Sequence, residues 1–357
     1  MVKSLKTLTQ NWTEEEYRSY PAYHHSEIAQ YAREGFKCIA HLGEQKESEA
    51  LTFGSLVDTL ITEPDKFDEK FYISTVIFPS DTMKGIIDGL FDSLKLNSLD
   101  QITDDVILNA AEGFYANIKS PEKRVAKVRE EGREYYNSLV LGNNKKIITQ
   151  QQYDDAQRCV EKLKETYEVF QPISPFEEND KEILYQAKFK NDYIKLPIVV
   201  MFDAILVDHK NKTIYPYDLK TTGQPEYLFP SSFIKWGYDI QGDMYMYVLE
   251  KVLKEDDVFK DYKIAPFTFI VINKDSLQPL TWSYPTKSYI ISTGAFKKLG
   301  LKDWKEALTK LNLEKTRTLP LNVTSTQPND ILYALQTDYQ DSTGDFLEMT
   351  YVDETFN

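Results

Sequence analysis

The stretch Val199 to Thr222, VVMFDAILVDHKNKTIYPYDLKTT, is the strongest constraint on how this chain can fold. Val199, Val200, Met201 and Phe202 favour strand, Asp208 to Lys212 form a polar turn, and a second strand begins at Ile214, so a β-hairpin is predicted. Asp203 lies late in the first strand. Alternation along the second strand puts Ile214, Pro216, Asp218 and Lys220 on one face and Tyr215, Tyr217 and Leu219 on the other. An acid and a lysine on one strand face, with a second acid on the partner strand, can assemble a hard-cation site. Two carboxylates and a backbone carbonyl suit Mg²⁺. Such a cation makes water a better nucleophile, and the lysine can orient that water or stabilise charge on a phosphate. The chemistry implied is phosphodiester hydrolysis. The triplet alone also fits a cross-strand ion pair on a solvated hairpin, and by itself that is the more economical account.

At 357 residues the chain can form one large domain with insertions, or two domains. Cys38 and Cys159 lie far apart without CxxC spacing, which predicts buried thiols rather than a disulfide framework or metal cluster. His24, His25, His41 and His209 form no HExxH motif, so zinc chemistry is not expected. A formal charge of −14 argues against a protein that coats nucleic acid nonspecifically, yet allows an enzyme with a local basic groove. No apolar run approaches membrane-spanning length, and MVKSLKTLTQNWTEEEY lacks the apolar core of a cleaved signal. A cytoplasmic protein without a membrane partner is therefore expected.

Taken in order, the chain predicts a helix after His25, capped by Ser26, and a second opening near Gly54 and ending before Pro64. On the second helix Asp58 falls beside the apolar stripe of Leu56 and Leu60, the place of a solvated residue. Residues 80–140 read as a helical insertion, with Ile86, Ile87, Leu90, Phe91 and Leu94 on one stripe and Val106, Ile107, Ala110, Phe114 and Ile118 on another. Within it Lys119, Lys123, Arg124, Lys127, Arg129 and Arg133 make the densest basic stretch. They are candidates for contacting DNA, although a charge run interleaved with acids is more often a solvated helix face. Thr149 caps a predicted helix to about 168, strands follow over 182–189 and 194–206, and 236–253 reads as one helix on which Gln241 and Tyr245 share a face. That pair suits either a satisfied core contact or the edge of a site. Further strands are expected at 267–272 and 280–284 and a helix within 289–311. Beyond Glu314 the composition turns acidic and aperiodic. The domain reading is therefore 1–313, with 314–357 an acidic C-terminal appendage.

Four features occur in an order that resembles the PD-(D/E)xK nuclease superfamily, and within it the RecE-type phage exonucleases, related more distantly to lambda exonuclease and RecB nuclease domains. They are Ser26 at a helix start after an aromatic and histidine segment, the FGSLVDTLITEP helix, Asp203 followed fifteen residues on by Asp218-Leu219-Lys220-Thr221-Thr222, and Tyr238-Asp239-Ile240-Gln241-Gly242-Asp243-Met244-Tyr245. The resemblance implies an α/β fold, restriction-endonuclease-like, with a mixed central sheet flanked by helices. It implies Mg²⁺ (or Mn²⁺) held by Asp203, Asp218 and the Leu219 carbonyl. Lys220 would position the attacking water and stabilise the transition state, and Gln241 and Tyr245 would line the site. Asp58 stands where the family has a metal-contacting His, as a harder ligand that adds charge and favours a second metal.

The activity implied is metal-dependent cleavage of duplex DNA, commonly processive and 5′ to 3′, in phage-type recombination or repair. The family also implies a ring oligomer, a single-strand annealing partner, and a phage or prophage protein acting in a bacterial host. A structure- or site-specific endonuclease on the same fold, and a catalytically silent DNA-binding or assembly protein, are the alternatives.

Overall fold

The predicted hairpin forms and becomes the middle of the central sheet. The computed structural model describes residues 3–43, 48–115, 117–171, 180–284 and 303–318. In chain order its principal elements are α1 (Glu14–Ser19), α2 (His25–Glu34), α3 (Glu49–Thr62), α4 (Phe67–Lys70), β1 (Phe71–Ser74), α5 (Asp81–Leu94), α6 (Asp104–Ala110), α7 (Pro121–Gly142), β2 (Lys146–Thr149) and α8 (Gln150–Thr166). There follow β3 (Lys181–Tyr193), β4 (Leu196–Asp208), β5 (Thr213–Thr222), α9 (Phe229–Trp236), α10 (Tyr238–Lys254), β6 (Lys263–Ile264), β7 (Thr268–Asn273), β8 (Pro279–Ser283) and α11 (Trp304–Thr318).

The sheet runs β3-β4-β5-β7-β8, with β6 beside β5. Its β3–β4, β4–β5 and β7–β8 pairs are antiparallel, whereas β5–β7 is parallel. The parallel pair needs a crossover, and α9 and α10 supply it. One side of the sheet, including Ala204, Leu206, Leu219, Ile270 and Ile272, packs on Phe53, Leu56, Val57 and Leu60 of α3 and Cys159, Val160 and Leu163 of α8. On the other side α10 lies against β3 and β4. The result is a mixed sheet flanked by helices, the restriction-endonuclease-like α/β fold expected.

The segment between β1 and β2 forms the helices α5, α6 and α7. It leaves the body after β1 and re-enters at β2, and those two strands pair in parallel at its base. Inside, Met83, Ile86, Ile87, Leu90, Ile107, Val125, Val128 and Tyr136 form their own core. Three expected core positions are instead exposed: Leu94 is the last residue of α5, Phe114 lies beyond the end of α6 at Ala110, and Val106 is in the first turn of α6.

Local chemistry moves several predicted boundaries. The helix after the first histidines starts at His25, because His24 with Glu27 forms the capping box and Ser26 lies inside. Helix α3 starts five residues before Gly54, because the Ser48 hydroxyl accepts the Leu51 N–H as its cap. The helix predicted over 236–253 is α10 and starts at Tyr238, because Gly237, with a left-handed φ of 70°, ends the separate helix α9 at Trp236 and turns the chain into α10. Both cysteines are buried thiols outside any disulfide. The chain divides into one unit to Leu308 and a second from Thr309, so the predicted boundary after Leu313 falls within α11. Most of the acidic appendage, 319–357, and the first part of the predicted 289–311 helix lie outside the described residues. Among the described residues no helix is long and apolar enough to cross a membrane.

Candidate nuclease site

Strands β4 and β5 pair from Asp208–Thr213 to Ala204–Tyr217 and then part. Beyond that point β4 pairs with β3, and β5 with β7. Asp203 and Asp218 are the first residues past the fork. In place of a ladder bond, an Asp203 carboxylate oxygen accepts the Leu219 N–H at 2.7 Å. Asp218 is almost wholly buried, and its carboxylate is shared by the Lys220 ammonium and the Gln241 carboxamide. The shared strand face of Asp218 and Lys220 is thus an ion pair, but a buried one at a strand fork and not one on a solvated hairpin.

Aromatic rings hold Lys220 from behind. Its ammonium lies 4.9 Å from the Tyr238 ring centroid and 5.9 Å from that of Phe269. Burial alone would lower its pKa, but Asp218, Tyr238 and Asp203 more than offset this and raise it above the ordinary lysine range. Lys220 is therefore a permanent cation near neutral pH. Tyr238 is a neighbour that the residue types alone did not single out. Its only sequence sign is its place at the head of the Tyr-x-x-Gln-x-x-x-Tyr stretch.

Gln241 and Tyr245 sit one turn apart on α10, and both are buried. Gln241 donates to Asp218, while its own carbonyl oxygen is buried without a hydrogen-bond partner. Tyr245 packs on Phe202 at 5.1 Å and places its hydroxyl 3.0 Å from Nδ1 of His25. Burial, followed by the Lys220 charge, pushes His25 down to about 3, so its ring is neutral. Burial and the neighbouring Tyr17 and Asp218 raise the Tyr245 phenol well above its usual range. Gln241 therefore reaches the site directly, and Tyr245 backs it from the aromatic layer.

Asp58 comes to the same cluster from α3. That helix lies close to β5 because Gly54 leaves room there: a Cβ on it would stand 3.2 Å from the Thr221 hydroxyl. Asp58 is not the solvated residue its place on the helix implied. Both its oxygens accept from Nε2 of Gln186 on β3, at 3.0 and 3.3 Å. Burial pushes its carboxyl up to about 7; the Lys70 charge opposes this, and Asp218 and Glu63 add to it. Asp203 is likewise raised well above the carboxylate range, by burial first and then by the charges of Asp218 and Asp58. Three acids share this space with the half-buried Lys220.

Among the described residues no group of three or more His, Cys, Asp or Glu side chains is gathered closely enough to hold a metal ion. Asp203 is turned to the Leu219 amide, Asp218 to Lys220 and Gln241, and Asp58 to Gln186. The donor set nevertheless fits a hard divalent cation. It consists of oxygens, burial and mutual repulsion raise Asp203 and Asp58 so that ionising them together calls for a compensating cation, and the Gln241 carbonyl beside it lacks a donor.

The basic stretch is used differently from a free cationic face. Arg129 on α7 donates to the carbonyls of Leu99 and Ile102 at 2.9 and 2.7 Å and pairs with Asp104, while Arg133 pairs with Asp100 and Lys127 with Glu131. Those three side chains tie the insertion together. Lys123 and Arg124 lie in the first turn of the same helix, and Lys119 just before its Ser120 cap.

A family model described as "PDDEXK-like domain of unknown function (DUF3799)" matches residues 26–292. The chain belongs to this PDDEXK-like family. The match runs from the second residue of α2 through β8 and so includes Asp58, Asp203, Asp218, Lys220, Gln241 and Tyr245. No curated protein sequence matches the chain. Among solved structures, it is similar to a protein of Eubacterium rectale named "Putative exonuclease", at 12% identity and a TM-score of 0.41, covering 85% of this chain and 88% of that one. It is also similar to protein VC1899 of Vibrio cholerae, at 9% identity and a TM-score of 0.19, over 76% and 57% of the two chains.

Proposed function

We propose that this PDDEXK-like protein is a divalent-cation-dependent deoxyribonuclease that hydrolyses phosphodiester bonds from the ends of duplex DNA. The observation that carries the reading is the strand fork, where Asp203 and Asp218 stand side by side and Lys220 shares the Asp218 carboxylate. Asp203, Asp218 and the Leu219 carbonyl, with Asp58 from the facing helix, would hold Mg²⁺ or Mn²⁺. The cation supplies charge neutralisation and a more acidic water.

The chain's own residues divide the remaining work. Lys220, with its raised pKa, keeps its proton and so acts as a fixed charge rather than a base. It stabilises the negative charge that grows on the phosphate oxygens and orients the attacking water. Gln241 fixes one Asp218 oxygen and presents its unpaired carbonyl to the same space. Tyr245, neutral and packed on Phe202, holds α10 against β4. Preference for ends, 5′ to 3′ polarity and a role in phage-type recombination beside an annealing protein rest on the order of the four sequence motifs.

The test is a time course on linear duplexes labelled at the 5′ or the 3′ end, with closed circular DNA alongside, in Mg²⁺, in Mn²⁺ and in EDTA. Loss of the 5′ label first, intact circles and silence in EDTA are expected. Cleavage of circles would replace the exonuclease by an endonuclease on the same fold. Intact linear DNA with a folded protein would sink the enzyme reading.

A further inference from the structure

The ladder between β3 and β4 pairs Tyr185 with Ala204 and Ala187 with Phe202, but skips the rung between them, where Gln186 faces Asp203. Gln186 has a φ of 51°, a left-handed conformation that costs a non-glycine residue energy. The other non-glycine residues in this region of φ fall at turns, helix ends or strand ends, whereas Gln186 is in the interior of a strand. The two strands exchange faces there. Ile183 and Tyr185 pack on the core beneath α3 and α8. Phe189, which unbroken alternation would put with them, instead meets Phe202, whose ring touches Tyr245 on the α10 side.

The side chain at this irregular point is not idle. Its carboxamide nitrogen donates to both Asp58 oxygens and lies 3.3 Å from the Thr62 hydroxyl, which itself donates to the Asp58 carbonyl at 2.8 Å. The Lys188 ammonium donates to the Gln186 backbone carbonyl at 3.4 Å. Asparagine or glycine would accept the left-handed backbone at lower cost. Asparagine is one methylene too short to span the same gap, and glycine has no amide. The residue that occurs here combines an unfavourable backbone with the reach needed to bridge from β3 to α3.

We propose that Gln186 is a positioning residue of the nuclease site, whose carboxamide holds the Asp58 carboxylate on the side of Asp203 and Asp218 so that it can serve as a further oxygen donor to a divalent cation. The proposal rests on the metal-dependent reading above. It differs from the site inferred from sequence in making Asp58 effective only through a partner on another element. Outer partners of metal ligands have this effect when they fix the ligand's orientation.

The test uses the full chain and Mn²⁺ alone, with free Mn²⁺ counted by its paramagnetic resonance signal and folding followed by circular dichroism. Gln186→Gly relieves the backbone while removing the amide. It is expected to melt no lower than the parent by more than a few degrees, yet bind Mn²⁺ roughly 10- to 100-fold more weakly. Asp58→Ala is expected to weaken binding to a similar degree. Combining the two should add nothing beyond Asp58→Ala, because Gln186 acts through that carboxylate. Parental Mn²⁺ affinity in Gln186→Gly, or an equal further loss on the Asp58→Ala background, would overturn the proposal. If Gln186→Gly does not fold, Gln186→Asn, which tolerates the backbone but cannot reach, takes its place with the same expected loss. Failure of the parent protein to bind Mn²⁺ at all would instead overturn the metal-dependent reading, and this inference with it.

Discussion

Asp203 accepts the backbone N–H of Leu219 one step past the last rung between their strands, so the side chain of one acid anchors the strand that bears the other. This gives Asp203 a structural task separable from its charge. An asparagine there keeps an oxygen for the Leu219 amide and removes one of three mutually repelling carboxylates. Asp203→Asn is expected to melt at or above the parental temperature, while its affinity for Mg²⁺ or Mn²⁺ falls at least about 10-fold and cleavage of linear duplex falls with it. A melting curve and a calorimetric titration on the same preparation check both halves.

Lys220 is held by Asp218 on one side and the Tyr238 ring on the other. Methionine fills much of the space of its stem without the charge. Lys220→Met should therefore stay folded and lose roughly 10²- to 10³-fold in kcat, the usual cost of removing one preorganised group that stabilises transition-state charge. Its KM for duplex ends should move little. Arginine is not a rescue, because its planar fork cannot occupy the place of a compact ammonium between a carboxylate and a ring.

Some of this arrangement is local and therefore legible in the sequence. Alternation fixes which residues of a strand share a face, so the common side of Asp218 and Lys220 follows from their spacing of two, and the helical spacing of Gln241 and Tyr245 works in the same way. What is not local stays hidden. Gln186 occupies a left-handed backbone without being glycine or asparagine, so no residue type announces the broken rung. Asp58 lies beside an apolar stripe, where a solvated residue is expected, because the amide that holds it belongs to a strand 128 positions away. The partners of Arg129 and Arg133 are hidden in the same way because their acids lie on another segment: Asp104 is 25 positions from Arg129 and Asp100 is 33 from Arg133.

The acid cluster sets a pH dependence whose sign can be worked out. Asp58 is raised to about 7 and Asp203 is raised as well, so between the unfolded carboxylate range near 4 and these higher values the folded state binds more protons than the unfolded one. Without metal, the contribution of Asp58 is fully present at low pH and is lost as pH rises through about 7, and that of Asp203 is lost in the same direction. Glu14, lowered to about 2 by Arg18 and Lys70 against the opposing effect of its burial, acts in the other direction and loses its contribution as pH falls below about 4. The melting temperature in EDTA is expected to drop on the order of 5 °C between pH 5 and pH 8. Added Mg²⁺ should restore it at pH 8 and have little effect at pH 5, where protons compete for the same oxygens. Asp58→Asn should flatten the EDTA profile.

The insertion offers a test of whether its arginines hold structure or substrate. Arg129 caps two carbonyls of the Leu99–Ile102 segment and pairs with Asp104, and its side chain is only 20% exposed. Removing it takes the Arg129 donor from the Ile102 carbonyl and leaves the Leu99 carbonyl with the Ile102 N–H. Arg129→Ala is expected to cost about 1.5–3 kcal/mol of stability, the range for hydrogen bonds to a charged group. Because the insertion has a core of its own, the loss should appear as an earlier melting step and faster amide exchange in α5 to α7, with exchange in β3 to β7 unchanged. Below that step the rate on linear duplex should equal the parent's. Lys123→Ala, which keeps the Arg129 bonds, should leave stability unchanged. A salt-dependent loss of duplex affinity in Lys123→Ala would return that part of the stretch to the DNA-binding surface.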